Sequence, residues 1–276
     1  MKITYYDSNL NTSYDIIILA FGAPRCVNQS GNIVYGIGKY GSAQGVYTPF
    51  TGGSNGIVND VQQFINGYNN NPSHANKQRG IAIGVNTYAD RITSNGGNFY
   101  DFGQALKSAL TQVTLTGNIT HIYAAIDAEQ GTGCLPPSKV EPIINGFNNQ
   151  TPLYSYSIIN YGDDELGSPP GTKNGWTAYD IWCISYGAGQ EGPIPEIYYS
   201  INADEWYSLS LWAYNNEGHN IFFWGVLSEN GYDGTLTNSQ SYNALVNDLI
   251  SNPNTYQSEL AYNFQMKDRD FQFHNP

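Results

Sequence analysis

The stretch at residues 14–21, YDIIILAF, constrains the fold more than any other part of the chain. It is apolar from Ile16 onward and is closed by Gly22 and Pro24. A strand with one wet face would alternate apolar and polar residues. This one has no polar face to offer, so the pattern predicts a strand covered on both sides, as in a parallel sheet flanked by helices.

Shorter apolar runs recur along the chain. They predict strands over 2–6, 14–21, 80–85, 119–126, 153–159, 177–186 (centred on Ile181 to Ile184), 196–201 and 221–226. Between them, apolar residues at helical spacing predict helices over 55–68, 98–113, 139–147, 203–217 and 239–251. Residues 33–54 are rich in Gly, Tyr and Thr and read as a long loop or hairpin excursion. No linker and no fixed-period repeat interrupts the chain, and a polar tail is expected after about residue 252. Eight strands alternating with helices in 276 residues predict a single α/β domain, a (β/α)8 barrel of the TIM type. A doubly wound open sheet is the runner-up. It normally carries a Gly-rich phosphate loop after its first strand, and Phe21-Gly22-Ala23-Pro24 is a poor one.

Composition narrows the partners. The net charge is −12, with no Lys/Arg cluster, so nucleic acid and anionic membranes are disfavoured. No apolar run approaches the ~20 residues of a membrane span. No signal peptide is visible at Met1 to Asp7, so the sequence predicts a soluble protein, intracellular or in mature secreted form. Charged residues are only 12% of the chain, about half the usual share of roughly 25%. With 23 Tyr and abundant Asn and Gly, the surface suits a polyol, which hydroxyls, amides and rings can satisfy without ion pairs. The three cysteines, Cys26, Cys134 and Cys183, match no metal-binding spacing; a Cys26–Cys134 bridge is left open, and Cys183 reads as a small core residue.

In a barrel, chemistry sits at the C-terminal ends of the strands. The fourth predicted strand ends Ala125-Ile126-Asp127-Ala128-Glu129. Side chains alternate along a strand, so Asp127 and Glu129 share a face within roughly 7 Å, and each raises the proton affinity of the other. Such a pair can hold the proton donor that glycoside hydrolysis requires. Other expected strand ends supply Phe21, Asn86, Tyr186 and Trp224.

These residues resemble the chitinase-type (family 18) glycoside hydrolases. Tyr5-Tyr6 and Ile16 to Phe21 look like that family's first two strands. The 122–129 segment is similar to its D-x-D-x-E signature strand, residues 179–186 resemble its sixth strand with a terminal site tyrosine, and Phe223-Trp224-Gly225-Val226 resembles its eighth. The resemblance implies a barrel acting on N-acetylglucosamine-containing glycans (chitin, peptidoglycan-like chains or the N-glycan core) by substrate-assisted catalysis. Glu129 would be the acid, Asp127 would orient the 2-acetamido group, Tyr186 would donate to it, and Trp224 would floor the sugar, with Phe21 and Asn86 as further substrate contacts. No metal or cofactor is called for. Four departures stand out: Ala125 replaces the first Asp of the signature, Gly187 replaces an Asp or Asn, Ile184 stands where a polar residue is common, and the third strand lacks S-x-G-G. They point to the alternative, a catalytically impaired barrel that serves as a glycan-binding, storage or crystal-forming protein. A lysozyme-type barrel also ends a strand in D-x-E and ranks lower, because its first strand carries an Asp in a different register.

Overall fold

In the computed structural model of the chain, which describes residues 2–8, 14–39, 46–71, 78–149, 156–188, 192–229, 231 and 234–270, the apolar run at 14–21 is buried on both faces. Ile17, Leu19 and Phe21 point into a large core shared with the helices. Ile16, Ile18 and Ala20 point the other way, into a smaller cluster with Ala82, Tyr123, Ala125, Ile159, Tyr161, Ile194 and Leu227. Burial on both faces is why the run has no polar alternation.

The strands are β1 (Lys2–Ser8), β2 (Tyr14–Gln29), β3 (Asn32–Lys39), β4 (Tyr47–Pro49), β5 (Gln78–Asn86), β6 (Ile119–Asp127), β7 (Ile158–Asn160), β8 (Thr172–Lys173), β9 (Trp176–Thr177), β10 (Gly225–Ser228) and β11 (Tyr262–Asp270). The helices are α1 (Ile57–Asn69), α2 (Phe99–Leu110), α3 (Pro137–Asn148), α4 (Ala178–Trp182), α5 (Ser200–Glu217) and α6 (Asn238–Ile250). The central sheet runs β10-β11-β1-β2-β5-β6-β7 and is mostly parallel. Beyond β7, the segment 193–197 hydrogen-bonds on both sides. Ile194 N donates to Asn160 O and Glu196 N to Gly162 O, while Ile197 N donates to Leu227 O and Leu227 N to Pro195 O.

Several sequence expectations are corrected. β1 pairs antiparallel with both β2 and β11. Only positions 9–13 separate β1 from β2, too few for the crossover of a dozen or more residues that a parallel pair needs. The region expected as a strand over 177–186 is helical: α4 runs into a π-helical turn, Cys183–Gly187. The reason is local. Asp180 Oδ2 accepts from Thr177 N at 2.7 Å and Asp180 N donates to Thr177 Oγ1 at 3.4 Å, a capping box that starts a helix at residue 178. The last expected strand begins at Gly225 rather than at 221. Upstream of it, side chains take the backbone groups that a neighbouring strand would use. Ile221 N donates to Ser210 Oγ, and Phe223 N and O bond to the Gln257 amide. The expected polar tail contains β11, which joins β10 to β1. Of the strand expected at 153–159, β7 supplies 158–159, and 153–155 lie outside the described residues. The expected strand at 196–201 ends early, because Ser200 and Ile201 open α5. Residues 33–54 contribute the β3–β4 hairpin, which extends the long β2.

Small residues make room on the face that carries the smaller cluster. A Cβ at Gly80 would lie 2.8 Å from the Tyr123 ring, and one at Gly84 would lie 3.1 Å from the Tyr161 hydroxyl. Glycine at these two positions of β5 makes room for two large aromatics on this face of the sheet.

Candidate functional site

β5 and β6 are adjacent and parallel, and their register sets Asn86 opposite Asp127 at their C-terminal ends. Asn86 Nδ2 donates to Asp127 Oδ2 at 2.9 Å, and Asn86 Oδ1 accepts from Tyr88 N. Thr87 fixes the backbone beyond. Its N and Oγ1 both donate to Asp127 O, and its Oγ1 accepts from Glu129 N. On the other flank, Asn160 Oδ1 accepts from Ala128 N and Gly162 N, while its Nδ2 donates to Ser185 Oγ. The turn carrying Asp127 and Glu129 is thus tied to both neighbouring strands.

A third carboxylate meets this pair. Glu196 follows Ile194, a residue of the smaller cluster, on the segment 193–197. One oxygen each of Asp127, Glu129 and Glu196 lie within 4.8 Å of one another. Asp127 is 7% exposed, Glu196 is 6% exposed, and Glu129 is half-buried. Among the described residues, no Lys, Arg or His forms an ion pair with any of the three. Oxygens this close are also within reach of a single cation, and these are the residues that could hold one.

Burial and mutual repulsion favour the neutral acids. Burial and then Glu129 push the Asp127 carboxyl well above its ordinary range, against the Asn86 hydrogen bond. Burial and then Asp127 push Glu196 well up, against a hydrogen bond from Tyr198. Glu129 is raised chiefly by burial, partly offset by the Cys134 thiol, which donates to Glu129 Oε2 at 3.5 Å. Burial beside these carboxylates pushes the Cys134 thiol itself up to about 12, so it stays protonated and can donate. Asp127 Oδ1 has no hydrogen-bond partner among the described residues, although it is buried.

Of the residues singled out in the sequence, Asp127, Glu129 and Asn86 come together. The other three do not join them. Phe21 has the parity of Ile17 and Leu19 and is buried in the helix-side core, 1% exposed, where no substrate reaches it. Trp224 precedes β10, so it stands at the entry of that strand and not at its mouth. Its backbone N donates to Pro193 O, and its ring packs edge-on against Tyr123 at 5.9 Å. Tyr123 is four residues before Asp127, about 13 Å along the strand. Tyr186 lies in the π-helical turn and packs, half-buried, on the helix-side core. The chain departs here from the expected sugar floor because 177–186 is helical and 221–224 is not a strand. Cys26 and Cys134 are free thiols.

Glu196 was not among the expected site residues. Placing the strand at 196–201 puts Glu196 at its entry, whereas in the structure it follows the extended residues 193–195. The legible signal was a lone acid in an otherwise apolar Pro193-Ile194-Pro195-Glu196-Ile197 run.

Comparison with protein-family models, with curated proteins and with solved structures finds no match.

Proposed function

We propose that the chain is a glycoside hydrolase acting on N-acetylglucosamine-containing glycans, with Glu129 as the proton donor. The observation that carries this reading is the convergence of half-buried Glu129 with the buried carboxylates of Asp127 and Glu196, within 4.8 Å. Three acids packed this closely cannot all ionise, and a carboxylic acid kept protonated near neutral pH is what departure of a glycosidic oxygen requires. Glu129 is the most accessible of the three and so is the one that meets the leaving group. The exposed Tyr88 ring, two residues beyond Asn86, offers an apolar face at the rim. The choice of N-acetylglucosamine rests on the A-I-D-A-E resemblance at residues 125–129 and on a surface rich in Tyr and Asn.

In the same reading the sheet is a closed eight-stranded barrel. The segment 193–197 is the member between β7 and β10, and the carboxylates stand at its C-terminal mouth, where barrel enzymes keep their chemistry. The hydrogen bonds of residues 194–197 to both flanks support this.

The positions of Trp224 and Tyr186, away from the carboxylates, favour a second reading, a glycan-binding barrel without turnover. Incubation with chitin oligomers, peptidoglycan and an N-glycoprotein, with release of reducing ends as readout, separates the two. Hydrolysis that falls ~10²–10⁴-fold in Glu129→Gln supports the enzyme. Binding without turnover, unchanged by Glu129→Gln, supports the second reading. Turnover at full rate in Glu129→Gln rejects the assignment of the donor.

A further inference from the structure

We propose that Glu196 is the catalytic nucleophile of this centre, so that the reaction proceeds through a covalent glycosyl ester on Glu196 and retains the anomeric configuration. The inference rests on the hydrolase reading above and departs from the substrate-assisted route that the sequence resemblance implies.

Placement is the first argument. Displacement at an anomeric carbon is in line, so the attacking group and the donor to the leaving oxygen must approach from opposite faces of the sugar. Asp127 ends β6 and Glu129 follows two residues later in the turn beyond it, so both come from one part of the sheet. Glu196 comes from the segment beyond β7, two strands from β6. Adjacent strands are about 4.8 Å apart, so these backbones stand about 10 Å apart, and their side chains reach toward each other across the gap. Glu196 therefore reaches Glu129 from a different segment of the sheet, with an oxygen of each within 4.8 Å of the other.

Distance is the second. Retaining glycosidases hold their two carboxyls about 5–5.5 Å apart, and inverting ones about 6.5–9.5 Å apart, to admit a water between them. An oxygen of Glu129 and one of Glu196 lie within 4.8 Å of each other, which is close to the retaining separation.

The surroundings of each group are the third. Glu196 is 6% exposed, and the hydrogen bond it accepts from Tyr198 fixes the carboxyl and opposes in part the push of burial and Asp127 toward the neutral acid. Glu129 is more accessible, as a group that must serve the leaving oxygen and later a water should be. Asp127 is held at Oδ2 by Asn86, while its Oδ1, buried and without a partner among the described residues, is left to accept from a substrate hydroxyl or amide. Tyr186, which the substrate-assisted route would use to hold the acetamide, is on the helix side of the sheet.

The steps balance. A Glu196 carboxylate oxygen bonds to the anomeric carbon, the bond from that carbon to the leaving oxygen breaks, and Glu129 gives its proton to the departing alkoxide. Water then attacks the same carbon. Glu129 takes a proton from it, the ester bond breaks, and Glu196 returns as carboxylate. The second, protonated carboxyl of the cluster is assigned to Asp127.

The test uses the full chain with chitin oligomers and with aryl glycosides that carry or lack the 2-acetamido group. Expected are an initial product with retained configuration by NMR, a fall of at least ~10³-fold in turnover for Glu196→Gln, and partial rescue of Glu196→Gly by azide, giving a glycosyl azide of inverted configuration. A 2-deoxy-2-fluoro glycoside should add one sugar mass to the peptide that contains Glu196. Glu196→Gln is isosteric and removes a buried charge, so its thermal melt should be no lower than that of the wild type. Should it fail to fold, Tyr198→Phe is the second variant, expected to lower turnover severalfold while configuration is still retained. Wild-type cleavage with inversion, or cleavage confined to 2-acetamido substrates with neither azide rescue nor adduct, overturns the nucleophile while the hydrolase reading stands. No cleavage of any glycan by the wild type overturns both.

Discussion

Asn86 and Asp127 end neighbouring parallel strands, and the 2.9 Å bond between them fixes one oxygen of a carboxylate that lies within 4.8 Å of Glu129 and Glu196. A carboxylate clustered with two others would swing away from them if it could. The Asn86 amide, itself held by Tyr88 N, prevents that. Asp127 is thus positioned from the adjacent strand, by a residue that would otherwise read as an ordinary strand terminus.

Removing this restraint has a pH-dependent cost. The Asn86 amide donates to Asp127 and favours its ionised form, so Asn86→Ala raises the Asp127 pKa further. Where Asp127 is protonated the lost bond is of the neutral kind, costing about 1 kcal/mol, and where it is ionised the cost rises to about 1.5–3 kcal/mol. Urea unfolding of Asn86→Ala at acid and at alkaline pH should show the larger deficit at the alkaline end. An equal deficit at both ends would mean that the amide does not act on the charge of Asp127.

The Cys134 thiol makes the corresponding contact with Glu129. If Glu129 is the donor, activity requires its proton and is lost as pH rises through its folded pKa, which burial places above the ordinary 4.5. A thiol donating to the carboxylate opposes that shift. Cys134→Ala should therefore move the alkaline limb of the kcat profile to higher pH, with a less than tenfold change at the optimum. A limb that moves to lower pH would show that the thiol acts otherwise. In the wild type, Cys134, only 9% exposed and with its pKa near 12, should alkylate far more slowly than a free thiol of pKa ~8.5.

What could be read from the sequence followed the reach of the interactions involved. The 14–21 run disclosed a doubly covered strand because every residue in it is apolar, and α1, α2, α3, α5 and α6 lie close to their expected positions because helical spacing is a local property. The Asp127–Glu129 pair was visible for the same reason. Tyr186 lies away from its expected place because a run such as Ile181 to Ile184 fits strand and helix alike, and the T-x-x-D cap at Thr177 and Asp180 decides for the helix. Trp224 was misplaced because side chains distant in sequence, Ser210 and Gln257, occupy the backbone of 221–223. Glu196 meets Asp127 only through pairing across 69 positions of sequence, which no local pattern reports. β11 escaped notice because polar residues can form a strand when neighbours on both sides supply the ladder.

Gly162 is needed for the site turn to close. A Cβ there would stand 2.4 Å from Ala128 O and 2.6 Å from Ala128 N, both backbone atoms that can move only with the turn itself. Gly162→Ala should push the Asp127–Glu129 turn away from β7, weaken the Asn160 contact to Ala128 N, and destabilise the fold by about 1–3 kcal/mol. Activity should fall by more than the unfolded fraction accounts for, because a displacement of about 1 Å can cost ~100-fold in rate. A thermal melt and a kcat at a temperature where the variant is folded measure the two effects separately. Full activity in a folded variant would show that the exact seat of the turn is immaterial.

A second group of buried acids links stability to pH. Asp163 and Asp164 follow Gly162, and burial pushes them up to about 8 and about 7, with Glu205 adding to both. Asp163 accepts twice from Asn202 Nδ2, and Asp164 Oδ1 accepts from Leu166 N, while Asp164 Oδ2 has no partner among the described residues. The folded protein therefore keeps protons on these carboxyls that the unfolded chain releases near pH 4. Between those values the native state binds more protons than the unfolded state, so stability falls as pH rises. It is fully present below about pH 4 and is lost through the window from about 4 to 8. Asp127, Glu129 and Glu196 act in the same sense. The melting temperature should therefore be higher at pH 5 than at pH 8. Asp164→Asn cannot ionise, keeps an oxygen for Leu166 N, and should flatten this slope, leaving the variant level with or below the wild type at pH 5 and above it at pH 8. A wild-type melting temperature that rises between pH 5 and 8 would mean that these carboxyls are already ionised in the folded chain.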